Sequence, residues 1–171
     1  MQFAGDVPQV LDGDGGVPAR DLTVLERGDA AAYVAGLSPA ARLTQFVQDF
    51  PALSGADVKV EWVERGTARS VARTTLRTAM EYLYTRDYTD SWLSECHERF
   101  CDLTGDDWRE LLEGVGFELE PGSGPWRNDW LVENRLRVGA ALRDPVTGEP
   151  VAWPDTHVLT VARRPLVPTD G

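Results

Sequence analysis

The chain has 171 residues, of which 42% are hydrophobic and 26% are charged, a composition typical of a globular protein with an apolar core. Its 28 acidic residues outnumber the 17 basic residues and give a formal net charge of −11. A surface of that sign repels nucleic acids and anionic lipids, and no apolar run approaches the roughly 20 residues of a membrane span, so neither a nucleic-acid partner nor a membrane is expected.

The first third of the chain contains one clear helix signal. Residues 1–16 are rich in Gly and Asp without periodicity, which indicates an irregular arm ahead of the main domain, residues 17–165. Residues 17–25 are compatible with a strand. Ser38 and Pro39, a capping hydroxyl and a first-turn proline, then precede apolar residues at helical spacing, which predicts an amphipathic helix that ends at Pro51.

The middle of the chain mixes two periodicities. Residues 58–62 alternate between apolar and polar in a way that suits a strand, although a turn of helix also fits so short a run. From Thr67 to Leu83 the apolar residues recur at helical spacing, which predicts the longest helix of the chain. A second, short helix is expected over residues 91–101.

The last third combines one helix with short strands. Thr104 stands three residues ahead of the Asp107 carboxylate, and Gly116 ends the apolar pattern that follows, which predicts a capped helix between Thr104 and Gly116. A strand is expected at residues 117–120. Residues 138–143 and 156–163 are predicted to be two strands around a turn at residues 144–148, with a frayed tail at residues 166–171.

The two cysteines, Cys96 and Cys101, are five positions apart, which on a helix directs their side chains about 140° away from each other. A disulfide is therefore not expected, and free thiols suit a reducing, cytoplasmic compartment. A zinc site needs about four ligands, and His97 and His157 are the only histidines, so no metal is expected.

Several segments carry a resemblance to a known family. Arg86-Asp87-Tyr88 is followed by Trp-Leu-Ser-Glu-Cys-His-Glu at residues 92–98, and residues 126–135 read Trp-Arg-Asn-Asp-Trp-Leu-Val-Glu-Asn-Arg. Trp-Pro-Asp-Thr-His follows at residues 153–157, and residues 15–21 and 38–46 precede them in the same order. This series resembles the carboxy-terminal part of bacterial class I S-adenosylmethionine-dependent methyltransferase-like proteins, with Asp129 and Asp155 in place of two prolines.

The resemblance implies an α/β fold class that becomes α+β as an isolated piece. It would be a partial Rossmann-like methyltransferase fold, whose last strands end in a terminal antiparallel hairpin, with three or four helices. S-adenosylmethionine is implied as the cofactor of such a protein. Only residues 12–16 imitate its glycine-rich turn, and Val17-Pro18 follow instead of a helix, so the chain is interpreted as truncated, without the cofactor-binding half and inactive alone.

Site candidates follow from the same resemblance. His97, flanked by Glu95 and Glu98, has the chemistry of a general base, although a histidine on a helix surface fits the same pattern. The residues proposed to contact a small-molecule substrate are Arg20, Asp21, Tyr88, Trp92, Glu98, Asn128, Trp130, Glu133, Asn134, Arg135 and His157. A structural role fits several of them equally, since Glu133-Asn134-Arg135 can tie a loop to a sheet edge and clustered tryptophans commonly form a core.

Two functions remain in competition at this point. In the first, the chain is the substrate-side part of a methyltransferase and pairs with a complementary half or with a second copy of itself. In the second, it is a non-enzymatic binding or interaction module derived from a methyltransferase, with an acidic surface that engages a protein or a small molecule.

Overall fold

The computed structural model of the chain describes residues 2–5, 19–65 and 70–165. These residues form an α+β structure in which every strand pairing that they make is antiparallel. They fall into two compact units. Unit 1 lies within residues 1–100 and 133–152, and unit 2 lies within residues 101–132 and 153–171.

The helices of the described ranges are α1 (Arg27–Ala35), α2 (Pro39–Ser54), α3 (Leu76–Thr85), α4 (Trp92–Glu95), α5 (Gly105–Gly114) and α6 (Asp129–Leu131). The strands are β1 (Gln2–Gly5), β2 (Glu61–Arg65), β3 (Ser70–Arg73), β4 (Glu118–Leu119), β5 (Gly124–Trp126), β6 (Ala140–Arg143), β7 (His157–Leu159) and β8 (Ala162–Arg163). Single 3-10 turns occur at Leu22–Val24 and Thr89–Ser91, and a π-helical turn occurs at Val132–Leu136. Four of the helices are longer than one turn, in line with the three or four expected.

Unit 1 contains a four-stranded sheet in the order β2-β3-β1-β6. Strand β1 lies between β3 and β6, with Phe3 opposite Ala72 on one side and opposite Leu142 on the other. Residues 2–5 are therefore a central strand and not part of an irregular arm, while residues 6–16 lie outside the described ranges. A four-residue strand whose partners are far along the chain leaves almost no local periodicity to detect.

The strand expected over residues 17–25 is not formed by the residues of that segment that the structure describes. Leu22–Val24 make a 3-10 turn instead, because the Asp21 carboxylate accepts hydrogen bonds from the backbone N–H and the hydroxyl of Thr23 at 3.0 and 2.5 Å. These bonds also hold the pKa of Asp21 below its usual range. Residues 17–18 lie outside the described part.

The helix predicted from Thr67 begins later, at Leu76, where the Thr75 hydroxyl accepts the N–H of Thr78 at 3.1 Å. Before it, Ser70–Arg73 form β3 between β2 and β1, and residues 67–69 lie outside the described ranges. Val71 and Ala72 are both buried, and a strand covered on both faces loses the alternation that distinguishes it from a helix. The ambiguous segment at residues 58–62 leads into strand β2.

The prediction of a terminal hairpin is also wrong, because β6 pairs with β1 and not with β7. A turn does form after β6, closed by the Asp144 N–H to the Glu149 carbonyl at 2.9 Å and by a bridge between Arg143 and Pro150. This pairing extends to Val151, whose N–H donates to the Leu142 carbonyl at 3.0 Å, while Pro154 lacks the N–H that a ladder needs. Strand β7 instead pairs with β5, and β8 with β4.

Aromatic side chains form the centre of the unit 1 core. Phe46 stacks on Phe50 at 4.7 Å between ring centroids, and its other neighbours are Tyr82 at 5.5 Å and Trp92 at 6.5 Å, both edge-on. Fully burying such rings contributes on the order of 2–3 kcal/mol each. Burial also raises the pKa of Tyr82 to about 12, and its hydroxyl donates to the Pro39 carbonyl at 2.9 Å.

Helix α2 supplies two of these four aromatic rings, Phe46 and Phe50, and is capped at both ends. The Ser38 hydroxyl accepts the Ala41 N–H at 3.2 Å, as the sequence predicts. The helix continues past Pro51 to Ser54 and ends at Gly55, whose φ of 72° places it in the left-handed conformation of a C-cap. Pro51 is therefore accommodated inside the helix.

Unit 2 is built on α5 and two strand pairs. The capping box predicted at the start of α5 is present, with the Thr104 hydroxyl accepting the Asp107 N–H at 3.2 Å and the Asp107 carboxylate accepting the Thr104 N–H at 2.6 Å. The strand predicted at residues 117–120 is β4. Gly116, with a φ of 87°, makes the turn between them that an L side chain would strain.

None of the helices in the described ranges combines the length and the apolar composition that crossing a bilayer requires. Both cysteines are free, Cys96 buried in unit 1 and Cys101 exposed. Burial raises the pKa of the Cys96 thiol well above its usual range, so this side chain contributes packing and not reactivity.

Candidate functional site

Two segments that carry the family resemblance meet around Arg135 in unit 1. The Arg135 guanidinium lies over the Tyr88 ring, 4.8 Å from its centroid, and donates to the Tyr88 hydroxyl at 3.0 Å. It also donates to the Tyr84 carbonyl at 3.3 Å and lies 3.7 Å from the Asp87 carboxylate. We call the group formed by Arg86, Asp87, Tyr88 and Arg135 the Arg135 cluster.

Arg86 forms hydrogen bonds with the backbone at and after Arg135. Its guanidinium donates to the carbonyls of Arg135 at 2.5 Å, Leu136 at 3.4 Å and Val138 at 2.9 Å. These carbonyls lie in the π-helical turn or shortly after it, where they are not all paired within a helix. Such turns are frequent at functional sites. Arg86 therefore fixes the position of Arg135.

The charge of the Arg135 cluster differs from that of the chain as a whole. Two guanidinium groups surround one carboxylate, with Asp87 3.6 Å from Arg86 as well, so the cluster is locally positive in a chain of net charge −11. Burial lowers the pKa of Arg86, and neighbouring Asp87 opposes that shift. The side chain of Arg135 is 25% exposed, so the Arg135 cluster lies at the protein surface.

The residues around His97 do not form the base arrangement that the sequence suggested. His97 and Glu98 are both exposed just beyond α4, and the imidazole has no hydrogen-bond partner in the described part of the chain. Glu95, which was expected to orient it, accepts a hydrogen bond from the Ser91 hydroxyl at 3.2 Å instead.

Trp92 lies in the core, where its indole N–H donates to the buried Asp49 carboxylate at 2.8 Å. Gln45 donates to the same Asp49 oxygen at 2.9 Å and also bonds the backbone of Arg20 through both amide atoms, at 2.9 and 2.8 Å. Arg20 itself lies over the Tyr33 ring at 4.9 Å. The structure therefore joins Arg20 to Trp92 through a buried polar chain and leaves Asp21 as a turn cap.

Three further candidates lie in unit 2. Asn128 caps α6 by accepting the Leu131 N–H at 3.1 Å, and its own N–H donates to the Thr156 hydroxyl at 2.9 Å. That hydroxyl lies 2.8 Å from Nδ1 of His157, whose ring stacks on Trp126 at 4.9 Å. Asn128 and His157 are thus brought together by Thr156, while Trp130 is 67% exposed.

Glu133 and Asn134 are both exposed in unit 1. Glu133 accepts a hydrogen bond from Arg137 at 2.7 Å, four residues on, which is an ordinary surface ion pair. Arg135 contacts a distant segment, at Tyr84, Asp87 and Tyr88.

Sequence reasoning missed a cavity of about 370 Å³ in unit 1. It is lined by Leu25, Arg27, Ala30, Ala31, Thr89, Asp90, Ser91, Trp92, Leu93 and Ser94. These residues come from two stretches more than 50 positions apart, and no motif links them, so a single sequence could not reveal the site. Within the described ranges, no group of three or more His, Cys, Asp or Glu side chains could hold a metal ion.

Comparison of the chain with protein-family models, curated proteins and solved structures found no match. The interpretation of the Arg135 cluster therefore depends on its geometry and on the resemblance of the motifs that form it.

Proposed function

We propose that the chain is the carboxy-terminal, substrate-side part of an S-adenosylmethionine-dependent methyltransferase-like protein, and that it acts with a complementary cofactor-binding half and not alone. The observation that carries this proposal is the contact between Tyr88 and Arg135, which are 47 residues apart. Each belongs to a segment singled out beforehand by its resemblance to this family. Segments that serve one substrate site are expected to converge in this way.

The chemistry of the Arg135 cluster suits a small polar substrate. A guanidinium supported on an aromatic ring keeps its fork of N–H donors in a fixed plane, which matches carboxylate and phosphate groups. The Tyr88 hydroxyl adds a group that can donate and accept. In this proposal S-adenosylmethionine binds to the complementary half, and His97 stays a candidate general base without the help of Glu95, which accepts from Ser91.

A second function is favoured by a different observation. A cofactor-binding Rossmann unit is built from parallel strands, whereas every pairing among the described strands is antiparallel and a 3-10 turn stands at Leu22–Val24. This arrangement favours a non-enzymatic binding or interaction module of α+β architecture. In that case the Arg135 cluster is a structural tie between residues 84–88 and the π-helical turn.

Calorimetric titration with S-adenosylmethionine separates the two functions. The ligand is titrated into the 171-residue chain, into the product of any adjacent gene that encodes a glycine-rich cofactor loop, and into a mixture of both. The proposal predicts that the mixture binds S-adenosylmethionine at least about tenfold more tightly than either polypeptide, since the interface completes the site. Equal affinity for the mixture and for the isolated loop-bearing polypeptide would refute the proposal and favour the module.

A further inference from the structure

The cavity of unit 1 has the size and lining of a small-molecule site. Its volume of about 370 Å³ falls within the range of roughly 300–1,000 Å³ that is usual for such sites. One wall is the beginning of α1, and the other is the 3-10 turn Thr89–Ser91 with the start of α4. A hydrogen bond from Nε of Arg27 to the Asp90 carbonyl, at 3.3 Å, joins the two walls.

The lining of this cavity includes one arginine, Arg27, and one aspartate, Asp90, which form no ion pair with each other. Arg27 uses only its Nε in that bond, so both terminal nitrogens of the guanidinium remain available, and it makes no salt bridge within the described part of the chain. The Asp90 carboxylate likewise has no cationic partner among the described residues.

The remaining lining is mixed. Leu25, Ala31 and Leu93 supply apolar surface, while the hydroxyls of Thr89 and Ser94 supply donors and acceptors. A carboxylate is the natural partner of the Arg27 fork, and an ammonium group is the natural partner of Asp90. A ligand with only one of these charges would leave the other charge of the wall unpaired.

We infer that this cavity binds a small zwitterionic ligand of the amino-acid class with an apolar side chain. Its carboxylate contacts Arg27, its ammonium group contacts Asp90, and its side chain lies on Leu25, Ala31 and Leu93. This inference does not depend on the proposed function, because the residues that carry it are distinct from the Arg135 cluster. Failure of S-adenosylmethionine binding would leave it standing.

Calorimetric titration with L-leucine, L-methionine and L-phenylalanine tests the inference on the complete chain. At least one of the three should bind saturably at millimolar concentration or below. Two analogues of L-leucine measure the contribution of each charged group separately, since isocaproate lacks the amine and isoamylamine lacks the carboxylate. Each analogue should bind at least about tenfold more weakly, because it loses a hydrogen bond between charged groups.

Two variants assign the contacts. Arg27→Gln should weaken amino-acid binding about tenfold or more and abolish the preference over isoamylamine, while Asp90→Asn should abolish the preference over isocaproate. Arg109→Gln and Asp155→Asn are exposed matched controls and should bind as the wild type does, with thermal unfolding confirming that every variant folds. Absence of saturable binding by all three amino acids, or retention of both preferences in both variants, would overturn the inference.

Discussion

Asp49 is a buried carboxylate whose hydrogen bonds come from neutral groups. Its Oδ2 accepts from Gln45 and from the indole of Trp92, and it connects the aromatic core to the segment at Arg20. Burial raises the pKa of Asp49 above its ordinary value of 3.8, and hydrogen bonds from Gln45, Trp92 and Gln48 oppose that shift without cancelling it. Protonated Asp49 is therefore favoured in the folded protein relative to the unfolded chain.

The sign of the pH dependence follows from this shift. A carboxyl group whose pKa is raised by folding contributes stability that is fully present below the unfolded pKa and is lost as the pH rises through the folded pKa. For Asp49→Asn, which cannot ionise, we expect the free energy of unfolding to lack that decline between about pH 4 and the folded pKa. Urea unfolding followed by tryptophan fluorescence across that range measures the difference.

The exposed Asp155→Asn variant is the control for this prediction, and its unfolding free energy should follow the wild type at every pH. If Asp49→Asn also followed the wild type throughout, Asp49 would not be the source of the pH dependence. Since Gln45 and Trp92 donate to one oxygen, the asparagine carbonyl can accept both bonds, so the comparison isolates the charge.

At the scale of elements, α5 is the helix whose stability depends most on its cap. It exposes most of its surface, and the described residues of this helix include none that is fully buried, so tertiary packing contributes little to it. Its first turn is held by the reciprocal bonds between Thr104 and Asp107, and those bonds hold the pKa of Asp107 below its usual range. Capping hydroxyls of this kind typically contribute about 1 kcal/mol.

Thr104→Ala should therefore destabilise α5 by about 1 kcal/mol and speed amide hydrogen exchange over residues 107–113 about fivefold. The control is Glu113→Ala, an exposed change on the same helix that leaves the capping box intact. Equal exchange rates in these two variants would contradict the role given to the capping box. Hydrogen exchange measured by mass spectrometry on peptides from α5 provides the readout.

The elements that could be predicted from the sequence are those with local signals. The starts of α2 and α5 are set by Ser38 and Thr104, whose hydroxyls bond N–H groups three residues away. Strand β1 could not be predicted in this way, because both of its hydrogen-bond partners are distant in sequence. The pairing of β6 was mistaken for the same reason, since a nearby turn suggested a hairpin with β7. Strand β3 was missed because Val71 and Ala72 are both buried and leave no apolar and polar alternation.

In the whole molecule too, parts of the candidate site could be predicted from local sequence signals and other parts could not. The motifs identified Tyr88 and Arg135 as candidates. They did not indicate that Arg86 would donate to the carbonyls of Arg135 and Val138. Trp92 was proposed to contact substrate, yet its indole is buried. The core covers the apolar ring, and the Asp49 carboxylate accepts the hydrogen bond of the indole N–H. The cavity walls come together only through tertiary packing.

The function that we propose makes this chain the substrate side of a methyltransferase, acting through the Arg135 cluster. Its most direct test is transfer of a tritium-labelled methyl group from S-adenosylmethionine to a small-molecule extract of the source cells, with the chain and its complementary half present together. Two variants are compared. Arg135→Ala removes the contact with Tyr88, and Arg137→Ala removes only a surface ion pair.

We expect labelled product to form only when both polypeptides are present. The rate should fall by about tenfold or more in Arg135→Ala, because a hydrogen bond to a charged group is lost, and should stay near the wild-type rate in Arg137→Ala. A transfer rate that is the same with and without this chain, or that is equal in the two variants, would contradict the claim.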